Sequence, residues 1–423
     1  MSLPLRFLRA LLSAVLFLMI GVLVMLLLVS GLSTVSLSDD ATWKAVGWLA
    51  LAATVGCLVA LYFINRWLRE KPWSVLAVGY VIVAPIFLYA VYDETEFKRR
   101  LTLEELSPPS AGAEESWRVT LWYTPQAGKP AERTMPNHGY IPGPSNDPEK
   151  WAAHLGTNRA QAQLAWETLA KEREWFAAMN DFPAIGDLMP ARFDGPLIRF
   201  QPFRAVVQVS CARAGLLALE GKGDEAIDVL LPVLEVTRKL SPSARSLVRF
   251  MVARASLGTI VDAVHFVLAR ARVSPEKRTA LAAVLEAGTG GKTGVRRLLW
   301  IEYAFHYEAF LAKGGMTGFE PEGGVRRSVL LALTRPFFLR HATANDYAAI
   351  LDELTRLAEA REFGRLDARQ REFVNDQVRG RFRNIVGGLL LHMSMPSYRK
   401  VVESYWKNED KRLALIAELR QPG

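Results

Sequence analysis

The chain has 423 residues, half of them apolar, with 52 lysines and arginines against 43 acidic residues and a net charge of +9. Six basic and three acidic residues fall in the first 92, which leaves +6 for the remaining 331, too dilute an excess for a nucleic-acid binder. Cys57 and Cys211 are the two cysteines, in segments too different to pair, so no disulfide framework holds the protein together.

Three uncharged apolar stretches open the chain: Ala10–Val29, Ala45–Ile64 and Trp73–Tyr92. Each has about 20 residues, the length a helix needs to cross roughly 30 Å of hydrocarbon. The sequence therefore predicts a three-span anchor over residues 1–92, with apolar stretches of this kind confined to it. Trp43, Trp48, Trp67, Trp73, Tyr89 and Tyr92 flank the spans, where indoles and phenols seat at the headgroups. Arg6 and Arg9 precede the first span, and Arg66, Arg69 and Lys71 lie between the second and third. Asp39 and Asp40 lie between the first and second, and Asp93, Glu94 and Glu96 follow the third. Basic ends stay cytoplasmic, which places the N-terminus inside and the large C-terminal part outside, against Lys98, Arg99 and Arg100 close to the third span. The first span is longer than a signal-peptide core and lacks an A-x-A site. Ala52, Gly56 and Ala60 form a small-residue face for close helix packing, within the anchor or against another membrane protein. No Asp, Glu, Lys or Arg lies inside a span, which argues against an ion path.

Residues 93–150 are rich in proline and read as a linker with a small β element. Trp117–Thr124 (WRVTLWYT) is the strand candidate, with Leu197–Phe200 as a hairpin partner. From Trp151 to Gly423 the pattern is helical, with eight to ten helices expected. Asp224 is placed to cap a helix whose Ile227, Leu230, Val233 and Leu234 form one stripe. Ser274-Pro275-Glu276 starts another, ended by Gly288. Thr343 to Gly364 bounds a third, and Ser397 caps a last one through Val401, Tyr405 and Trp406.

The run from Ala214 to Leu230 puts Gly221 at a helix turn, Ala226 at a tight contact and Leu230 at a large apolar position. This resembles a tetratricopeptide-like hairpin, which implies antiparallel helix pairs stacked on one another. The match is partial: Ser210 stands for the usual aromatic, Ala214 for the usual glycine, Pro232 interrupts the second helix, and no second copy follows. The segments Ala214–Leu240, Arg335–Leu357 and Asn384–Val401 are similar to an uncharacterised group of bacterial membrane-anchored helical proteins. That resemblance implies a mainly α fold, here an irregular α-hairpin or α-solenoid domain, and brings no activity, cofactor or site residue.

Few residues carry the spacing of chemistry. Glu286–Gly294 (EAGTGGKTG) ends like a phosphate-binding loop, but Glu286 replaces the first glycine and a helix precedes it in place of a strand, which favours a plain helix–helix connection. Glu302 and His306 lie four apart on a helix from Val295 to Lys313, with Glu308 beyond, a spacing compatible with a shared metal or with a hydrogen bond in a core. His265 sits one turn after Asp262, a neighbour it can bond. The loop Gly314–Gly324 is either a surface connection or a lid. Arg379, Arg381 and Arg383 suit a solvated face or anionic headgroups. No catalytic, metal or cofactor-binding residue is assigned. The expected function is a scaffold on the outer side of a bacterial plasma membrane, held in the bilayer by residues 1–92, binding a partner protein or peptide and no nucleic acid. The alternatives are a metal-assisted hydrolase using Glu302 and His306, or an accessory subunit of a membrane transporter.

Overall fold

A computed structural model describes residues 88–89, 92–125, 130–144, 147–191, 198–288, 290–312, 338–379 and 383–421. The three expected spans, bar a few residues at the end of the third, and the loop Gly314–Gly324 lie outside the described residues. The chain divides into two units: Met1–Asp93 with Glu322–Leu339 and Arg381–Gly387, and Glu94–Pro321 with Arg340–Gly380 and Gly388–Gly423.

Fourteen α-helices occur among the described residues. They are α1 (Leu103–Leu106), α2 (Ala113–Thr120), α3 (Pro148–Thr157), α4 (Arg159–Thr168), α5 (Ala170–Ala178), α6 (Gln201–Leu219) and α7 (Gly223–Leu240). Then follow α8 (Leu247–Arg270), α9 (Pro275–Glu286), α10 (Gly291–His306), α11 (Arg340–Glu359), α12 (Phe363–Arg379), α13 (Ile385–Ser394) and α14 (Tyr398–Arg420). The fold is mainly α, as the periodicity predicts, with twelve described helices from Pro148 onward against the eight to ten expected.

No strand is present among the described residues, which corrects the expected β element. Trp117–Thr124 is the second half of α2 and a 3-10 turn, Leu121–Tyr123. Its composition is strand-like, but Ser116, Thr120, Tyr123 and Thr124 are the buried positions, and steps of three and four from Thr120 belong to a helix. The Trp175 indole donates to the Val119 carbonyl at 2.8 Å, and the Ser116 hydroxyl accepts from Gly186 N–H at 2.8 Å. Ile198–Phe200 forms no hairpin with it; one bond, Arg199 N–H to the Thr124 hydroxyl at 3.1 Å, joins the two segments.

The hairpin α6–α7 turns at Gly221, whose φ of +77° is the left-handed region open to glycine. Lys222 N–H returns to the Leu217 carbonyl at 2.9 Å and closes the α6 end. Ala226, Ile227, Leu230 and Leu234 are buried, so the stripe read from the sequence is the packing face. Close approach on α6 falls at Gly215, where a Cβ would press on Trp151 and Leu155 of α3. Asp224 does not cap its own helix; its carboxylate accepts Ser274 N–H at 2.8 Å, at the start of α9. Gly364 does not end α11. Arg361 takes the left-handed position there, at φ +61°, and Glu362 N–H bonds the Leu357 carbonyl at 2.9 Å.

α8 packs against α6, α7, α10 and α14. It is the one helix among the described residues long and apolar enough to cross a membrane by length and composition, so such stretches are not confined to the first 92 residues. Its most apolar window is 61% buried within the protein, which is how a core helix reads. α14 runs parallel to α8 and is bonded along it. Phe250 stacks on Tyr405, Arg254 meets Glu409, Asp262 meets Lys411 at 2.7 Å, and His265 meets Glu418 at 3.0 Å. His265 is therefore not bonded to Asp262; each takes a partner on α14.

The segment from Glu94 to Ser107 lies on α10 and α11. Phe97 meets Tyr307 edge-on, the Tyr303 hydroxyl donates to the Arg99 carbonyl at 2.7 Å, and Arg99 covers the Trp300 ring at 3.8 Å.

Gly294 of α10 lies so close to Tyr405 that a Cβ would overlap the phenol, whereas nothing lies near the Gly364 position. Gly294→Ala is expected to cost about 1–3 kcal/mol of stability through overpacking, and Gly364→Ala to leave it unchanged or raise it by up to about 1 kcal/mol. Urea denaturation of both variants checks the pair.

Candidate functional site

The glycine-rich run Glu286–Gly294 connects α9 to α10. Its anion is internal: the Glu409 carboxylate of α14 accepts Gly291 N–H at 2.8 Å. The same carboxylate takes Arg254 Nη2 at 2.7 Å and Arg412 Nη2 at 2.7 Å. Burial alone would raise the Glu409 pKa, but the hydrogen bonds from Arg412 and Arg254 outweigh it and hold it at about 2. A Cβ at Gly290 would overlap that carboxylate, so the glycine there makes room for a side chain, not for a phosphate.

Glu302 and His306 share α10 and take separate partners. The His306 Nδ1 bonds the backbone carbonyl of Glu302 at 2.7 Å, while the Glu302 carboxylate accepts Leu247 N–H at the start of α8. Burial pushes His306 down to about 4, so its ring is neutral at ordinary pH. Burial likewise pushes Glu302 up to about 7. Around them stand Tyr347 and Tyr398, whose hydroxyls meet at 3.1 Å. Glu308 accepts Leu103 N–H. Among the described residues no three His, Cys, Asp or Glu side chains converge on a point a metal could occupy. Of the other histidines, His154 bonds the Tyr140 hydroxyl and His341 packs on Phe97.

A second buried charge cluster gathers Arg249 and Arg297 about Asp187. Arg249 Nε lies 3.6 Å from the Asp187 carboxylate, and both side chains are fully buried. That carboxylate also accepts Arg245 N–H at 2.8 Å. Arg297 donates to the Leu106 carbonyl at 2.5 Å and to the Ser107 hydroxyl, and burial lowers its pKa to about 10. Arg297 thus ties α10 to α1, and Asp187 ties its own loop to Arg249 of α8 and to Arg245 just before it.

An open recessed surface lies elsewhere, between α4 and α6; another of about 670 Å³ lies between Trp122, Arg133 and α5. Between α4 and α6, one recess of about 660 Å³ is lined by Arg159, Ala160, Gln163, Arg213 and Leu216, with Gly156 and Thr157 at the end of α3. A narrower one of about 270 Å³ is lined by Trp166, Arg173 and Phe176, by Val206 and Ser210 of α6, and by Asp228, Val229, Pro232 and Val233 of α7. Gln163 and Trp166 are three apart on α4, and Ser210 and Arg213 three apart on α6, so the two recesses share both walls. The Arg213 Nη1 donates to Gln163 Oε1 at 3.1 Å across them. Arg173 lies 3.4 Å over the Trp166 ring and donates to the Trp166 carbonyl at 3.2 Å. Burial lowers the Arg173 pKa; Glu174 opposes the shift, and the nearby Arg213 charge adds to it. Sequence reasoning missed this groove, although its walls include the hairpin it had singled out.

Comparison with protein-family models, with curated proteins and with solved structures finds no match to this chain.

The Glu302 pKa in the folded chain lies above its ordinary 4.5. The stability linked to its protonated form is therefore full below about pH 4.5 and is lost as pH rises through about 7. Glu302→Gln is expected to gain stability over the natural chain between pH 4.5 and 8, by on the order of 2 kcal/mol at the upper end. Parallel stability curves for the two proteins across that range would show that Glu302 does not carry this dependence.

Proposed function

We propose that this chain is a membrane-anchored interaction protein whose helical body binds a partner protein or peptide in the groove between α4 and α6. In this reading residues 1–92 form three bilayer spans, with their basic loops cytoplasmic. The body then stands on the outer side of a bacterial plasma membrane. The observation that carries the binding reading is the groove itself. It is a recessed surface built on α4 to α7, with apolar side chains along the walls and two arginines engaged, among the described residues, by uncharged acceptors. The separate engagements of Glu302 and His306 favour binding over metal-assisted hydrolysis. The uncharged apolar stretches and the charge pattern of their loops support the anchor and its orientation.

Two measurements in intact cells test it. A photo-crosslinking residue at Ala160 or Val229 in the full chain is expected to yield a discrete adduct with another protein, and the same residue at Arg365 is expected to yield none. No adduct from either groove position would remove the binding reading. Separately, a tag fused after Gly423 is expected to be digested by protease added to spheroplasts. A tag shielded until the spheroplasts burst would reverse the orientation.

A further inference from the structure

The groove carries more information than its shape. Four of the cations near it are already spent on acids. Arg159 and Lys222 pair with Glu220, Lys277 with Asp228, and Arg270 with Glu149. Glu167 accepts from Gln163. Arg173 and Arg213 are the exceptions. Neither has a carboxylate within ion-pair distance among the described residues, and their hydrogen bonds go to the Trp166 carbonyl and the Gln163 amide oxygen. The Arg173 Nε is buried and has no hydrogen-bond partner. Two guanidiniums, each hydrogen-bonded to α4 and each partly buried, thus stand at adjoining recesses with donors to spare.

The rest of the lining is largely apolar. Phe176 of α5, Val206 of α6 and Val229, Pro232 and Val233 of α7 line the narrow recess together with Trp166. An extended segment lying here meets apolar contacts at Trp166, Val229 and Val233, and two arginines with no carboxylate partner among the described residues.

We infer that the groove takes an extended acidic peptide segment, with carboxylates held by Arg173 and Arg213 and apolar side chains laid against Trp166, Val229 and Val233. This rests on the binding reading above and specifies its ligand. The arginine forks hold the carboxylates through charge-assisted hydrogen bonds. The apolar wall orients the segment and favours a peptide with apolar side chains over an isolated anion.

The test uses the full chain in mild detergent and two short fluorescein-labelled peptides of alternating charged and leucine residues, one with glutamates and one with lysines, read by anisotropy. The glutamate peptide is expected to bind, more weakly as salt rises, and the lysine peptide not to bind. Arg173→Gln with Arg213→Gln is expected to weaken glutamate-peptide binding about tenfold or more. Arg365→Gln, on α12, is expected to leave it unchanged. If the double glutamine variant fails to fold, Arg173→Lys with Arg213→Lys replaces it, with partial binding expected because charge is kept and the fork is lost. Equal binding of both peptides, or full binding by the glutamine variant, overturns the inference. The crosslinking of the preceding section separates the two levels. An adduct whose captured segment carries no acidic residues sinks the acidic-peptide inference and leaves the binding reading standing; no adduct sinks the reading.

Discussion

One buried carboxylate constrains much of this structure. Glu409 is almost wholly removed from water, and an ion in that position is costly unless its charge and lone pairs are met. They are met by Arg254 from α8, Arg412 from α14 and a main-chain N–H at the start of α10. Three elements far apart in sequence must therefore arrive together. The neighbouring glycines follow from that requirement, since Gly290 leaves room for the carboxylate and Gly294 for the Tyr405 ring, whose hydroxyl donates to the Gly291 carbonyl at 2.9 Å. With α14 held there, its later residues run down α8, and Leu415 and Leu419 enter the same core as α6 and α7. The groove wall on α6 is thus backed by α8, the helix that this buried charge ties to α14.

The parts legible in the sequence are those set by local periodicity. Ile227, Leu230, Val233 and Leu234 mark a buried face because a helix repeats every 3.6 residues, whatever it packs on. Pro275 at a helix start and Gly221 at a turn are equally local. What failed was decided at a distance. WRVTLWYT has the composition of a strand, yet Trp175, more than fifty residues on, bonds its backbone as a helix and buries one helical face. Gly364 looked like a helix end. The left-handed position instead falls on Arg361, whose side chain is held by a bidentate pair with Asp410 at 2.8 and 2.9 Å. The glycine-rich Glu286–Gly294 run suggested a phosphate loop in part because the carboxylate that fills it lies about 120 residues downstream.

The same limit applies to the groove. Arginines are frequent in this chain, and nothing local distinguishes Arg173 and Arg213 from the rest. They become notable once the other cations near the groove have found acids: Arg159 with Glu220, Lys277 with Asp228, and Arg270 with Glu149. Pro232 was visible from the start as a departure from the hairpin pattern. That it lines the narrow recess is visible only once the helices are packed. The interaction surface is thus defined by what intramolecular pairing leaves over.

The central claim is that Glu409 and Arg254 act as one coupled unit that holds α14 on α8. A double-mutant cycle with Arg254→Met and Glu409→Gln, read by urea unfolding of the full chain, measures it directly. The account predicts a coupling energy of about 1.5–3 kcal/mol, with either single change costlier than its share of the double. Single changes whose costs simply add to that of the double, within about 0.5 kcal/mol, would contradict it.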